Sequence, residues 1–280
     1  MGKFDGVLLA SDFDNTLIYT EEALRSGVPI PPLSEKNRAA LEYFMAEGGR
    51  FSIATGRAYA AFEKLAPLIP MNAPCVICNG AAIYDFSKEE YLETALLAED
   101  TRRRGQAVLD AFPTVAVEAY HIDNVIHAVQ PNSITRAHEH LTGVNVVECP
   151  TLLDVPLPLG KLLFEEDHQQ LLKVKEFLTK CGWAGDYELI FSGRTLLEMT
   201  ARGANKGGMV IKLAQHLGVV PQHIYCIGDE SNDLSMLEVS AIPFAPSNCI
   251  PAVRTSGVRL VSDAREDALA DVVEILDRTY

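Results

Sequence analysis

An α/β fold is predicted: a doubly wound Rossmann-like parallel sheet with an inserted α+β domain. Three observations carry this. Short apolar runs alternate with helical patterns in residues 1–82, the same alternation returns in 200–280, and the texture between them changes to the period-2 alternation of antiparallel strands. A single insertion into one loop of a compact core explains the interruption. The expected organisation is therefore a discontinuous core, 1–82 and 200–280, with an inserted domain at 83–199.

The elements follow in order. Val7-Leu8-Leu9-Ala10 reads as a buried parallel strand, expected over 7–11. Ser34 is placed to cap a helix over 35–47, which Gly48-Gly49 ends. A second strand is expected at 51–54, followed by Thr55-Gly56-Arg57 and a helix to about residue 68. A third strand, 75–78, runs into Asn79-Gly80. In the insert, segments 115–121 and 125–129 flank Asp123-Asn124 as an antiparallel hairpin. A helix at 133–141, a strand at 144–147, a stretch containing Pro150, Pro156 and Pro158, a strand at 161–164, a helix at 168–181 and a strand at 187–191 complete it. The βαβ pattern then resumes with a helix over 206–217 that ends at Gly218, and a strand at 223–227 that runs into Gly228-Asp229-Glu230-Ser231-Asn232-Asp233. Short strands at 241–245 and 258–261 and a helix at 267–278 close the chain.

With 280 residues, 48% of them apolar, the chain has material for packed cores in about two domains. A net charge of −14 disfavours a broad nucleic-acid interface. No apolar run reaches transmembrane length, and the segment from Met1 to Gly6 has no signal-peptide apolar core. A cytoplasmic protein is expected, with a small-molecule substrate, no nucleic acid and no membrane, as a monomer or small homo-oligomer. Cys75 and Cys78 have C-x-x-C spacing, but they fall inside an expected strand with no second ligand pair, so buried free thiols are expected.

The chemistry concentrates where predicted core elements end or begin. Asp12 and Asp14 follow the first strand, outside the carboxyl end where open α/β sheets bind ligands. Thr55-Gly56-Arg57 follows the second, Lys206 opens a helix, and Asp229 with Asn232-Asp233 follows the strand at 223–227. Taken alone, each has a plain structural reading: a capping loop, a turn, a solvated lysine. Arg57 has two equal readings, substrate contact or pairing with an acid. Arg102-Arg103-Arg104 reads as a solvated helix face, and the spacing of His138 and His140 puts them on different sides of a helix, against a zinc site. Glu198 has two equal readings, facing a cleft or sitting on the surface.

Together and in this order, the four motifs resemble the haloacid dehalogenase superfamily of phosphohydrolases. The matches are Asp12-Phe-Asp14-Asn-Thr16, Thr55 in Ala-Thr-Gly-Arg57, Lys206, and Gly228-Asp229-Glu-Ser-Asn-Asp233. The position of the insert, Cys78-Asn79-Gly80 and Asn205-Lys206-Gly207 are similar to the Cof-type branch, subfamily IIB, in which the insert is a C2B cap. Asn15 stands where glycine is commoner in that branch, and the stretch from Thr20 to Ser34 is long for it. The resemblance implies a Mg²⁺-dependent phosphatase acting on a small phosphorylated metabolite, a sugar phosphate first, through an aspartyl-phosphate on Asp12. It implies Asp14 as general acid and base, Thr55 and Lys206 as catalytic partners, and Gly56, Arg57, Asn79, Asn232 and Asn248 around the substrate. The metal would be held by Asp12, Asp229, the main-chain carbonyl of Asp14, and Asn232 or Asp233.

The chemistry is coherent. Hydrolysis of a phosphate dianion needs charge neutralisation and alignment. Asp12 is expected to be ionised at neutral pH, needing no base, and a hard divalent ion would relieve its repulsion with the phosphate. Asp14 is expected to have a raised pKa with substrate bound. Extended residues i and i+2 sit about 7 Å apart, so the chain must curl after Asp12, and Asn15-Thr16 suit that turn. A phosphohexomutase-like transfer, needing a second phosphate site in the cap, and a non-catalytic ligand-binding relic are the competing readings.

Overall fold

The computed structural model describes residues 2–121 and 124–280. Its fourteen strands, in chain order, are β1 (Leu8–Ser11), β2 (Arg50–Ile53), β3 (Cys75–Ile77), β4 (Ala82–Asp85), β5 (Glu90–Thr94), β6 (Ala116–His121), β7 (Ile126–Val129), β8 (Val146–Glu148), β9 (Leu159–Glu165), β10 (Tyr187–Gly193), β11 (Leu196–Ala201), β12 (Ile224–Ile227), β13 (Pro243–Pro246) and β14 (Arg259–Val261). The first sheet is parallel, in the order β14-β13-β12-β1-β2. Thr55 N–H donates to the Val76 carbonyl at 2.9 Å, so β3 continues this sheet past β2 and then turns into an antiparallel ribbon with β4 and β5.

Alternation along the strands explains the layers. In β1, Leu9 packs with Leu41, Phe44 and Leu276 on one face, while Leu8 and Ala10 pack with Met209, Val210 and Leu213 on the other. The same split separates Tyr225 and Ile227 from Ile224 and Cys226 in β12. Both faces of the strands are apolar because helices cover both, Glu35–Ala46 and Ala268–Asp277 on one side and Lys206–Leu217 on the other. The Ser34 hydroxyl caps its helix by accepting from Asn37 N–H, and Gly218 ends the Lys206–Leu217 helix in the left-handed conformation.

The insert forms a second sheet, order β10-β11-β9-β6-β7-β8, antiparallel except for the β7/β8 pair. The hairpin β6/β7 is as expected; of its turn, Asp123 lies outside the described residues, and Asn124 has φ +71°. Helices Thr101–Ala111 and His168–Lys180 cover one face through Val108, Leu109, Leu171 and Val174. The arginine run belongs to this scaffold: Arg102 donates to the carbonyls of Leu153 and Val155, and Arg104 pairs with Asp100 and Asp186.

Several local expectations are corrected. The helix expected from residue 57 to 68 is two short pieces, Tyr59–Phe62 and Ala66–Leu68, since Pro67 lacks the N–H a continuing helix needs. The third strand stops at Ile77, and Cys78 and Asn79 take φ +51° and +54°, so Cys78 is not a strand residue. All six cysteines are free; Cys75, Cys226 and Cys249 are buried, and Cys181 is exposed. Strands β4, β5 and β11 were not expected. Ile83 and Leu92 pack in the cluster beneath the parallel sheet, not with the insert.

On the face of the second sheet that turns toward the first lies a buried polar group. His138 Nδ1 is 3.0 Å from a Glu118 oxygen and 3.5 Å from Glu165 Oε1, and Thr135 donates to Glu165 Oε2 at 2.5 Å. Burial first, and then the neighbouring Glu118 carboxylate, push the Glu165 carboxyl up to about 7. Burial acts to lower the His138 imidazole, but Glu118 and Glu165 outweigh it and raise its pKa.

Two outcomes follow from this packing. Gly80 has φ +98°, and a Cβ on it would sit 2.3 Å from the Asn205 carbonyl oxygen. Gly80→Ala should therefore cost roughly 1–3 kcal/mol or more in urea unfolding, and a variant as stable as the wild type would contradict this packing. The folded state holds the Glu165 proton above pH 4.5, where the unfolded chain releases it, so that group's stabilisation is present below about pH 4.5 and is lost as pH rises through about 7. Between pH 5 and pH 8, the stability of Glu165→Gln relative to wild type should rise by about 1–3 kcal/mol. A pH-independent difference would show that Glu165 is ionised throughout.

Candidate active site

Chain order places the site. β1, β2 and β3 extend the parallel sheet in one direction and β12, β13 and β14 in the other, so the order reverses between β1 and β12. The crevice at this switch point, outside the carboxyl ends of the strands, is the ligand-binding position of open α/β sheets. Asp12 leaves β1 there with its N–H on the Ile227 carbonyl at 2.9 Å. Asn15 then takes φ +56°, which supplies the expected curl, and its side-chain oxygen accepts from the N–H groups of Thr20 and Glu21. An asparagine at this position thus tolerates the left-handed backbone and also caps the short helix Glu21–Ser26.

Lys206 is not the solvated residue that its position alone suggests. It is fully buried, with Nζ 2.7 Å from Asp12 Oδ1 and 2.6 Å from Asp233 Oδ1. Asn205 caps its helix by accepting from Gly208 N–H at 2.8 Å, and Gly80 packs directly on the Asn205 backbone. The second Asp233 oxygen accepts from the N–H groups of Asp229 and Glu230, at 2.9 and 3.0 Å, which folds the 228–233 loop around it. Thr16 donates to Asp229 Oδ1 at 2.6 Å.

Asp12, Asp229 and Asp233 each place a carboxylate oxygen within 4.8 Å of the others, and all three are buried. One ammonium among three carboxylates leaves net negative charge. Burial, and then Asp233, push the Asp12 carboxyl up to about 7. Burial, and then Asp12 and Asp233, raise Asp229 well above the ordinary range. The expectation that Asp12 is ionised unaided at neutral pH is thereby corrected for the metal-free protein. The oxygen donors and excess charge fit a hard divalent cation. Asn232 Oδ1 also fits, as a buried acceptor without a hydrogen-bond partner.

Asp14, two residues after Asp12, has a different environment. Burial acts to raise its pKa, but the Arg57 guanidinium and the Thr20 hydroxyl hold it below the ordinary value. Arg57 grips it with two nitrogens, each at 2.8 Å, and its guanidinium carbon lies 5.4 Å from the centre of the Phe13 ring. The balanced reading of Arg57 is thus resolved toward an acid partner in this state.

The remaining expected residues divide. Asp12, Asp14, Gly56, Arg57, Asp229 and Asn232 line one cavity of about 320 Å³ between the two sheets. Thr55 is buried beside it, with Oγ1 accepting from Arg57 N–H. Asn79 is buried behind it, donating to Glu198 Oε1 at 2.6 Å and accepting from Asn232 at 2.9 Å. Asn248 does not line the cavity: it braces the loop, donating to the Asn15 carbonyl and accepting from Ala264 N–H.

The far wall comes from the insert and was largely missed. Glu118, Tyr120, His138, Lys161 and Glu198 line it. Glu198 faces the cleft and is buried, with Oε2 3.0 Å from Lys161 Nζ. The Lys161 ammonium lies 4.1 Å from the centre of the Tyr120 ring. His138 gathers with Glu118 and Glu165, their ligand atoms within 4.8 Å of one another as a metal ion would require, and His140 is not part of that group. No helix of the described residues is long and apolar enough to cross a membrane.

Comparison with known proteins agrees with this geometry. Residues 9–273 match the model of the haloacid dehalogenase-like hydrolases. The chain is 25% identical to a 5-amino-6-(5-phospho-D-ribitylamino)uracil phosphatase of Bacillus subtilis, covering 96% of this chain and 97% of that protein. It is 24% identical to the HMP-PP phosphatase of Serratia proteamaculans, covering 95% and 94%. Among solved structures, the subclass IIB sugar phosphatase BT4131 superposes with a TM-score of 0.80 at 19% identity over 97% of this chain and 99% of that one. With the family match running over nearly its whole length, from residue 9 to residue 273, the chain belongs to the haloacid dehalogenase-like hydrolases.

Proposed function

We propose that the protein is a phosphatase of small phosphorylated metabolites, working through an aspartyl-phosphate on Asp12. The observation that carries this is the buried Lys206 ammonium bound to Asp12, which stands at the switch point and lines the cavity. Core residues 1–82 and 200–280 supply the chemistry, and the insert, 83–199, covers it as a cap and selects the leaving group. Strands β4 and β5, within that span, pack with the core.

In this reading, Asp12 and Asp229 would hold a Mg²⁺ ion, and Asp14, through its carbonyl, and Asn232, through its unpartnered oxygen, line the same cavity and could complete the set. Asp233 is committed to Lys206 and the loop amides and acts from behind. The ion would neutralise phosphate and carboxylate charge. Asp12 forms a bond to phosphorus as the ester P–O bond breaks, and Asp14 gives its proton to the departing alkoxide. Asp14 then takes a proton from the water that attacks phosphorus, and phosphate leaves with Asp12 restored. An entering phosphate dianion competes for Arg57, and each contact it draws away lets the Asp14 pKa climb toward that of an acid. Thr55 Oγ1 accepts from Arg57 N–H and so keeps its own hydrogen for a phosphoryl oxygen.

The family resemblance puts a sugar phosphate first, in a cytoplasmic setting. The mutase reading needs a second anion site, and the cavity does not favour one. Among the described residues lining it, Lys161 is matched by Glu198, His138 by Glu118 and Arg57 by Asp14.

Phosphate release from p-nitrophenyl phosphate and a metabolite panel should require Mg²⁺, stop with EDTA, and fall below about a thousandth of wild type in Asp12→Asn, whose circular dichroism should be unchanged. Appreciable turnover by that variant would remove Asp12 as nucleophile. Millimolar Mg²⁺ should also raise the wild-type Tm near neutral pH, because only the folded state gathers the carboxylates. Asp229→Asn should abolish that rise; an undiminished rise would place the ion elsewhere.

A further inference from the structure

The cap wall of the cavity carries more acid than it can neutralise. Glu118 and Glu198 line it, Glu165 is buried beside His138 without lining it, and these three carboxylates meet two basic groups, Lys161 and His138. Lys161 is taken by Glu198. His138 has one nitrogen, Nδ1, shared between Glu118 at 3.0 Å and Glu165 at 3.5 Å. Glu165 is fully buried, and its Oε1 has no hydrogen-bond partner. With all three ionised the cluster would be one positive charge short, and a buried carboxylate without a counter-charge is expensive, so Glu165 is pushed up to about 7 and holds a proton in place of a cation. Glu118, His138, Lys161 and Glu198 all line the cavity that contains Asp12, so a molecule seated on Asp12 reaches them. Two further buried atoms on this cavity, Ser192 Oγ and Asn232 Oδ1, also lack partners and can accept hydrogen bonds.

From this juxtaposition we infer that the cap is built for a leaving group bearing a protonated amine, which pairs with Glu118 and leaves His138 to Glu165 while the phosphate sits at Asp12. The inference rests on the phosphatase reading and narrows it: an amino sugar phosphate or an aminomethyl heterocycle phosphate fits, and a leaving group with a second anion does not. An ammonium gives several N–H donors to a wall rich in acceptors, and charge-assisted bonds are stronger than those of a neutral hydroxyl. A hydroxyl in its place can also hydrogen-bond but leaves the charge deficit.

Matched pairs test this. Glucosamine 6-phosphate against glucose 6-phosphate, and pyridoxamine 5′-phosphate against pyridoxine 5′-phosphate, differ only by an amine in place of a hydroxyl. With the Mg²⁺-loaded protein, kcat/KM should favour the amine by about tenfold or more in at least one pair, and the ratio should move toward one in Glu118→Gln. Ratios near one, or favouring the hydroxyl, in both wild-type pairs would overturn the inference, whatever the variant does. A second equivalent of bound Mg²⁺ that disappears in Glu118→Gln would also overturn it, since a metal ion would then be the missing cation. If no compound, p-nitrophenyl phosphate included, released phosphate, the phosphatase reading would fail by itself. The calorimetric Kd ratios of the same pairs would then decide the amine preference.

Discussion

The Lys206 ammonium lies wholly inside the protein, between Asp12 and Asp233, and the active end of the sheet is arranged around that contact. Removing an ammonium from water costs several kcal/mol after relaxation, so it persists only with excellent partners. Those partners are fixed by backbone. Asp12 is held at the end of β1 by the Ile227 carbonyl, and Asp233 is held by the loop amides it accepts from. The lysine is set by its helix start, which Asn205 caps and which Gly80 allows to come close. Elements separated by nearly 200 residues in sequence are thereby joined at one nitrogen.

One lysine does not balance three aspartates, and the imbalance has a purpose. A site fully neutralised by its own side chains would have little affinity for a divalent cation. Here burial and mutual repulsion raise Asp12 and Asp229, which marks a place where added positive charge is stabilised. Asp14 is the counter-example in the same loop. Arg57 and Thr20 satisfy it, and its pKa falls. Carboxylates two residues apart are thus driven in opposite directions by their partners, which suits the two different roles proposed for Asp12 and Asp14.

What was legible in the sequence follows from this. Asp12, Asp14, Lys206 and Asp229 stand at strand ends and a helix start, where carboxylates and a lysine have no packing reason to be, so position and chemistry agreed. The core strands and the Lys206–Leu217 helix were legible because alternating or capped apolar patterns specify them locally. Glu118, Lys161 and Glu165 were not, and Glu198 was so only as one of two equal readings, because each sits within a strand where alternate polar residues ordinarily face water. Only the pairing of β11 with β9 and of β9 with β6, made across long sequence separations, turns that face onto another domain's active site. Strand β11 was hidden because only Arg194-Thr195 separate it from β10, and the expected strand ended at residue 191 with nothing placed after it. The break after Phe62 and the turn at Cys78-Asn79 depend on backbone geometry that a hydrophobic pattern does not encode.

The missed residues also explain how cap and core act as one site. Lys161 of β9 meets Glu198 of β11, Glu198 accepts from Asn79 at the end of β3, and Asn79 accepts from Asn232 in the acidic loop. Each link is buried or partly buried, so water does not replace a lost partner cheaply. The chain runs from the wall that faces the leaving group to the loop that carries Asp229 and Asp233. A cap displaced from the core would leave Asn79 without its carboxylate and Glu198 without its amide, and it would open the cavity to solvent. Closure is therefore favoured by the same contacts that set the acidic loop, and exclusion of water from the phosphoryl group comes with correct placement of the groups that act on it.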